Sequence, residues 1–234
     1  MTKPLITVVT GASSGVGFQT SLQLASQGHT VYALARRAHK LKELVRENQG
    51  AGEIIPVEID LEDFSNKQLD KVFGDIECVD RLVNNAGKLL NKSFLDISEE
   101  EINSVFNLNY LAVIKLVQYF HSRLIKSESP HIVNIGSVGG VTGSVKFPGL
   151  SVYSSSKGAL SILSECLAED FREDGIRVNC LALGSVNTEM LKKAFPEFIS
   201  PTSSSDVSCY IVHFILEGFR VVNGLTQVVS VSNP

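Results

Sequence analysis

Tyr153 and Lys157 stand four residues apart, a spacing that puts both side chains on one face of a helix and lets an ammonium lie beside a phenol. A free phenol has a pKa near 10, so making it exchange a proton near pH 7 asks for roughly 4 kcal/mol. One ammonium is hard pressed to supply that alone, and a desolvated pocket would strengthen its effect. So placed, the phenol could give a proton to a carbonyl oxygen or take one from an alcohol. A second chemical feature is the run Thr10-Gly11-Ala12-Ser13-Ser14-Gly15-Val16-Gly17. It falls where a first strand must turn into a first helix, and there backbone amides and the helix dipole can hold a pyrophosphate. Gly11 permits the tight turn, Gly15 the close approach of a ligand, and Gly17 the packing of helix on strand.

These groups act together only if the fold carries them to one edge. Short β-branched runs at 6–10, 29–35, 54–59, 81–84, 131–136 and 177–183 alternate with helical patterns, which predicts a parallel sheet with right-handed helical crossovers. Apolar spacing of three and four places helices at about 16–27, 38–48, 66–73, 99–126 and 153–173. One more helix should follow the Ser-rich stretch 200–208, and a last strand should cover 225–231. Asn84-Asn85-Ala86-Gly87 then follows the fourth strand, Ser137 ends the fifth in Asn134-Ile135-Gly136-Ser137, and Tyr153-Ser154-Ser155-Ser156-Lys157 opens the next helix. All lie at the carboxyl edge of the sheet, where open α/β folds bind ligands.

Together with the TGxxxGxG loop, these segments resemble the short-chain dehydrogenase/reductase family over nearly the whole chain. The resemblance implies an α/β, Rossmann-like doubly wound sheet of about seven mainly parallel strands, flanked by helices on both faces. It implies one dinucleotide-binding oxidoreductase domain over 1–234, with a short substrate lid at about 189–205. Asn109, Ser137, Tyr153 and Lys157 take the positions of the catalytic tetrad. Ser137 would bond the oxygen that Tyr153 protonates, Lys157 would also grip the nicotinamide ribose, and Asn109 would hold a water relaying protons to the lysine. The cofactor would rest on Gly11, Ser13, Ser14, Gly15, Val16 and Gly17. Asn85, Ala86 and Gly87 would lie along its adenosine half, Asp60 and Leu61 near the adenine, and Val186 and Thr188 at the carboxamide. Its oxidised nicotinamide would add positive charge beside the phenol.

An NAD-preferring relative usually carries an acidic residue where this chain has Arg36, followed by Arg37. A guanidinium fork suits phosphate, so NADP(H) is expected as the preferred cofactor and NAD(H) as the lesser one. Ser14, where many NADP-preferring relatives have a basic residue, weakens that case slightly, though its hydroxyl can still bond a phosphate. Other departures from the family pattern carry expectations of their own. Leu183-Gly184 replaces the usual Pro-Gly pair, which predicts a looser cofactor orientation. The loop 138–152 is a few residues longer than in most members, so Lys146, Phe147 and Pro148 could overhang the pocket mouth, where Lys146 would either meet an anionic substrate or, more plainly, stay solvated. The chain ends in Ser232-Asn233-Pro234 in place of a glycine-rich tail, leaving tail contacts between subunits in doubt. A homodimer or homotetramer built on the two long helices is implied, and Leu111, Val113, Leu116, Val117 and Phe120 cover more than one helix face.

Composition narrows the function classes. A net charge of -4 from 21 basic and 25 acidic residues gives no electrostatic footprint for nucleic acid. Four cysteines without CxxC spacing or a histidine cluster speak against disulfides and against a metal site. The longest apolar stretches are broken by Lys115, Gln118, His213 and Glu217, so no membrane span is expected, and reduced thiols fit a cytoplasmic protein. The expected partner is a small carbonyl or alcohol substrate, interconverted by hydride transfer with Tyr/Lys acid-base catalysis. The alternative is a dinucleotide-binding regulatory or scaffold protein without turnover, against which the intact tetrad argues. An epimerase or dehydratase would need a larger C-terminal domain than the chain has room for.

Overall fold

A computed structural model describes residues 4–231, so the Ser232-Asn233-Pro234 tail lies outside the described residues. Seven strands form one parallel sheet: β1 (Ile6–Thr10), β2 (Thr30–Ala35), β3 (Glu53–Glu58), β4 (Arg81–Asn84), β5 (His131–Ser137), β6 (Arg177–Leu183) and β7 (Thr226–Val229). Their order is β3-β2-β1-β4-β5-β6-β7. β1 pairs with β2 on one side and β4 on the other, and this reversal of strand order opens a crevice at the carboxyl ends. The expected Rossmann-like doubly wound architecture is therefore present.

Helices cover both faces: α1 (Gly15–Ser26), α2 (Ala38–Glu47), α3 (Asn66–Phe73), α4 (Glu99–Phe106), α5 (Ala112–Leu124), α6 (Ser151–Asp170), α7 (Glu189–Ala194) and α8 (Ser204–Glu217). Consecutive residues of a strand feed opposite faces. Val8, Leu82 and Ile132 enter a core with Phe73, Phe120 and Leu160, whereas Val9, Val83 and Val133 enter a second core with Leu24, Leu41 and Ile211. A sheet buried on both sides needs apolar side chains at consecutive positions, hence runs such as Ile132-Val133.

The single helix expected over 99–126 is two helices joined by a π-helical turn at Asn107–Leu111. Ser98 caps α4, accepting from Glu101 N while the Glu101 carboxylate accepts from Ser98 N. In the π turn one extra residue is accommodated, and Asn109 comes to lie fully buried, facing the turn after β4. The apolar spacing runs on through Leu108 and Ala112, both buried, so periodicity alone does not reveal the break. Val113, Leu116, Val117 and Phe120 all belong to the core, and of the five apolar residues expected to cover a further face only Leu111, 43% exposed, does so. The core accounts for the apolar excess of α5.

Two long-range ties complete the frame. Ser208 of α8 donates to the Val16 carbonyl of α1 at 3.1 Å and accepts from the Thr20 hydroxyl at 3.3 Å, both in the interior. Arg81, 1% exposed at the start of β4, donates to the carbonyls of Ile215 and Asp80, each at 2.9 Å, and to Ser129 O. Its guanidinium lies 4.7 Å from the centre of the Phe219 ring. One side chain thus fastens the amino end of β4 to the end of α8 and to the loop before β5.

Candidate active site

At the carboxyl edge of the sheet a cavity of about 690 Å³ runs from Arg37, at the end of β2, to Phe198 in the lid. The glycine loop forms its floor. Gly11 and Gly15 have φ of 67° and 58°, the left-handed region that costs other residues strain. A Cβ on Gly11 would meet Ala86 Cα at 2.8 Å, and one on Gly17 would meet Gly11 O at 2.6 Å. The loop is fused to the turn after β4, because the Thr10 hydroxyl accepts from Asn85 N and Ala86 N, and Asn85 Nδ2 donates to Thr10 O, each at 2.9 Å.

Gly11, Ser13, Ser14, Gly15 and Val16 line the cavity. Gly17 does not: it is buried behind the loop, and its part is the packing of α1 on Asn85 and Gly11. Asn85, Ala86 and Gly87 line the cavity, as do Asp60, Leu61, Val186 and Thr188.

The two arginines part company. Arg36 pairs with Asp60 at 3.6 Å and Glu62 at 3.4 Å on the surface. Arg37 reaches over the glycine loop, donating to Ser13 Oγ at 3.2 Å and to Ser14 Oγ at 2.7 Å, and its other Nη meets the Glu189 carboxylate at 3.1 Å. Both arginines line the cavity, and of the two it is Arg37 that bonds the glycine loop. Glu189, 152 residues away in sequence, has no local signal that would have singled it out.

Ser137, Tyr153 and Lys157 come together on the same wall. Burial raises the Tyr153 phenol above its ordinary pKa, and the neighbouring Ser137 hydroxyl partly offsets the rise. The Lys157 ammonium donates to Ile135 O at 2.7 Å. Burial brings it down to about 8.

Asn109 lies behind the cavity wall. Its Oδ1 accepts from Lys88 N at 2.7 Å, and its Nδ2 donates to Lys88 O at 3.0 Å and Ser156 Oγ at 2.9 Å. A Cβ on Gly87 would stand 3.4 Å from both Asn109 Oδ1 and Lys157 Nζ, so the absence of a side chain there lets these polar groups approach. Lys146 is absent from the wall because its amine donates to Val141 O and Ser144 Oγ, each at 2.6 Å, within its own loop.

A dinucleotide fits this donor set. Ser14, the N-cap of α1, makes no side-chain cap bond, so the first-turn amides, which lack intrahelical acceptors, face the loop where a phosphate would sit. Residues 5–198 match the family model of the short chain dehydrogenases. The chain belongs to the short-chain dehydrogenase/reductase family. It is 39% identical over 192 residues to an uncharacterized short-chain type dehydrogenase/reductase of Sinorhizobium fredii, covering 81% of this chain and 73% of that one. It is 32% identical to the 3-oxoacyl-[acyl-carrier-protein] reductase of Thermotoga maritima, over 86% of this chain and 82% of that one. It spans 65% of the length of other relatives at 29% identity. A crystal structure of a short chain dehydrogenase from Burkholderia cenocepacia in complex with NADP superposes with a TM-score of 0.85 at 26% identity, covering 97% of this chain and 96% of that one. These relatives make an oxidoreductase of this family the plain reading of the fold.

The family's usual proline before Gly184 is missing, yet the turn is not loose. Gly184 N donates to Val229 O at 3.0 Å, and the Ser230 side chain packs against Gly184 so closely that a Cβ there would stand 2.7 Å from Ser230 Cβ. β7 holds the turn that the proline would have stiffened. No helix among the described residues is long and apolar enough to cross a membrane.

Proposed function

We propose that the chain is an NADP(H)-dependent oxidoreductase that interconverts a carbonyl and a secondary alcohol. It would act as one domain over 1–234 with its lid at 189–205, as a cytoplasmic homodimer or homotetramer whose assembly rests on the family resemblance. The observation that carries the reading is that Ser137, Tyr153 and the buried Lys157, one helical turn beyond Tyr153, line one cavity at the carboxyl edge of the sheet.

A dinucleotide held on the glycine loop and along Asn85, Ala86 and Gly87 would supply or accept the hydride. Tyr153 gives its proton to the carbonyl oxygen, and Ser137 donates a hydrogen bond to that same oxygen. Lys157, whose pKa of about 8 lies below that of the raised phenol, is the stronger acid of the two and can return a proton to the tyrosinate. Asn109 braces the turn beneath Lys157, since its side chain is engaged by Lys88 and Ser156. Assay of the purified protein against carbonyl and alcohol panels, following nicotinamide absorbance, tests the reading. Tight cofactor binding without turnover on any panel member would favour a regulatory protein instead.

The pH profile follows from Lys157. Its folded pKa is depressed, so the ammonium is present below about 8 and is lost above it. Carbonyl reduction measured as kcat/KM should be level below pH 8 and fall toward tenfold per pH unit above it. A Lys157→Met variant should be slower throughout and lack that break; a break retained in the variant would place the titration elsewhere.

The preference for NADP(H) rests on Arg37 together with the Ser13 and Ser14 hydroxyls. A charge-assisted contact is worth ~1.5–3 kcal/mol, so Arg37→Ala should weaken NADPH about ten- to hundredfold and NADH by less than about twofold. Arg36→Ala should cost less, because Arg36 makes no hydrogen bond to the glycine loop and is held by Asp60 and Glu62 instead. Titration of the wild-type protein with both cofactors at fixed salt decides the matter, and equal or tighter binding of NADH would overturn the preference.

A further inference from the structure

We propose that the substrate carries its carbonyl on an otherwise apolar body, an alkyl or aryl ketone or aldehyde, and not on a sugar or a polyol. The proposal rests on the oxidoreductase reading above. Beyond Ser137 and Tyr153 the cavity is walled by Leu89 after β4, by Phe147 and Leu150 from the loop before α6, and by Leu191, Phe195 and Phe198 from the lid. These six side chains come from three separate segments and none has a hydrogen-bonding group; the one lid cation on the cavity, Lys193, is exposed to solvent at its rim. The hydroxyl of Ser185 on the same cavity is already donated to Ser200 Oγ at 3.2 Å, and the lid carboxylate Glu189 is turned onto Arg37. Phe198 is 43% exposed and Met190 41%, apolar surface that an apolar substrate group would cover.

Each substrate methylene buried there should raise kcat/KM about fourfold. A substrate hydroxyl pressed on the same wall loses its water without gaining a partner, for a loss of about ten- to hundredfold. The test compares unbranched methyl ketones of increasing length with ketones of equal length bearing hydroxyls beyond the carbonyl, all on the wild-type protein. A steady rise of kcat/KM over the first three or four added methylenes, with the hydroxylated partners far slower, is the expected result. Hydroxylated ketones turned over equally well or better would overturn the apolar assignment and leave the oxidoreductase reading standing. No turnover on either series, with NADPH shown by calorimetry to bind, would overturn both.

A different observation, the Arg37–Glu189 ion pair, carries a second inference. Arg37 belongs to the rim of the glycine loop, whereas Glu189 is the first residue of the lid helix α7. Thr188, which caps that helix, packs with its Cγ2 3.1 Å from where a Cβ on Gly15 would lie. We infer that Glu189 is a specificity-determining residue: a carboxylate on the lid that competes with a ligand phosphate for Arg37 and so moderates the affinity for the 2′-phosphate. This inference rests on the NADP(H) reading. The two side chains are 41% and 64% exposed, so solvent screens the pair and the effect is three- to fivefold, on the order of a surface ion pair.

Calorimetric titration of wild type and Glu189→Gln with adenosine 2′,5′-bisphosphate and with adenosine 5′-monophosphate tests it. The bisphosphate should bind the variant about three- to fivefold tighter, with the monophosphate unchanged. Unchanged or weaker bisphosphate binding, or equal tightening of both ligands, would overturn the role of Glu189. A wild-type protein that does not distinguish the two ligands would instead overturn the NADP(H) reading, and this inference with it.

Discussion

Tyr153→Phe should lower turnover at least about a thousandfold, within the range assigned to a positioned general acid, while dinucleotide affinity stays within a few fold. The substitution removes one oxygen and keeps the ring, so the cavity wall retains its shape. It leaves no proton donor where the phenol stood, and Ser137, whose hydroxyl has an ordinary alcohol's acidity, cannot take over at neutral pH. The Ser137 hydroxyl still has Gly139 N as a partner at 3.3 Å, so collapse of the site is not expected. Steady-state rates on a substrate found by screening, set beside calorimetric affinity for NADPH, measure both halves. Wild-type turnover in the variant would show that another group moves the proton.

The largest expected loss of stability comes from Arg81→Met. The buried guanidinium is pulled down to about 10 by desolvation but stays charged at neutral pH, and the carbonyls of Ile215, Asp80 and Ser129 satisfy it. Methionine fills similar space without donors, so those carbonyls lose their partner and the contact with Phe219 goes too. Leaving buried acceptors unsatisfied costs about 1–3 kcal/mol each, so a loss of about 3 kcal/mol is expected, read as a shift of the urea midpoint. Arg81 begins β4, whereas the Asn85–Gly87 turn on the cavity follows its other end, so NADPH affinity of the folded fraction should hold. A loss below about 1 kcal/mol would mean that the clamp matters little.

Much of this site was legible because its chemistry is local in sequence. The glycine loop, Ser137 at a strand end, and Tyr153 with Lys157 on one helix turn each declare themselves within eight residues, and alternating strand and helix patterns say which edge they share. What was not legible depends on atoms brought together from far along the chain. Helix spacing puts Lys157 near Tyr153 but cannot say that Ile135 O captures its ammonium. Arg36 and Arg37 are adjacent in sequence, and only the three-dimensional course of the loop turns the second toward Ser13 and Ser14. The π turn escapes a reading by apolar spacing because the inserted residue is absorbed between two buried stretches, and Lys146 looked available only because its partners, Val141 and Ser144, offer a backbone carbonyl and a hydroxyl that composition does not flag.

The docking of α8 on α1 bears on the order in which the molecule can be made. The helix that opens the dinucleotide site is translated first, yet its Thr20 hydroxyl and Val16 carbonyl are joined to Ser208, 188 and 192 residues away. Closing so long a loop is entropically expensive and comes late on a folding path. Until α8 has been delivered, the back of α1 lies open, and the phosphate loop in front of it rests on a helix held by the sheet and not yet by α8. A nascent chain truncated before α8 would therefore hold every residue of the glycine loop and still lack a finished cofactor site, and in that interval it exposes the apolar surface that α8 covers in the native fold, the surface a chaperone would meet.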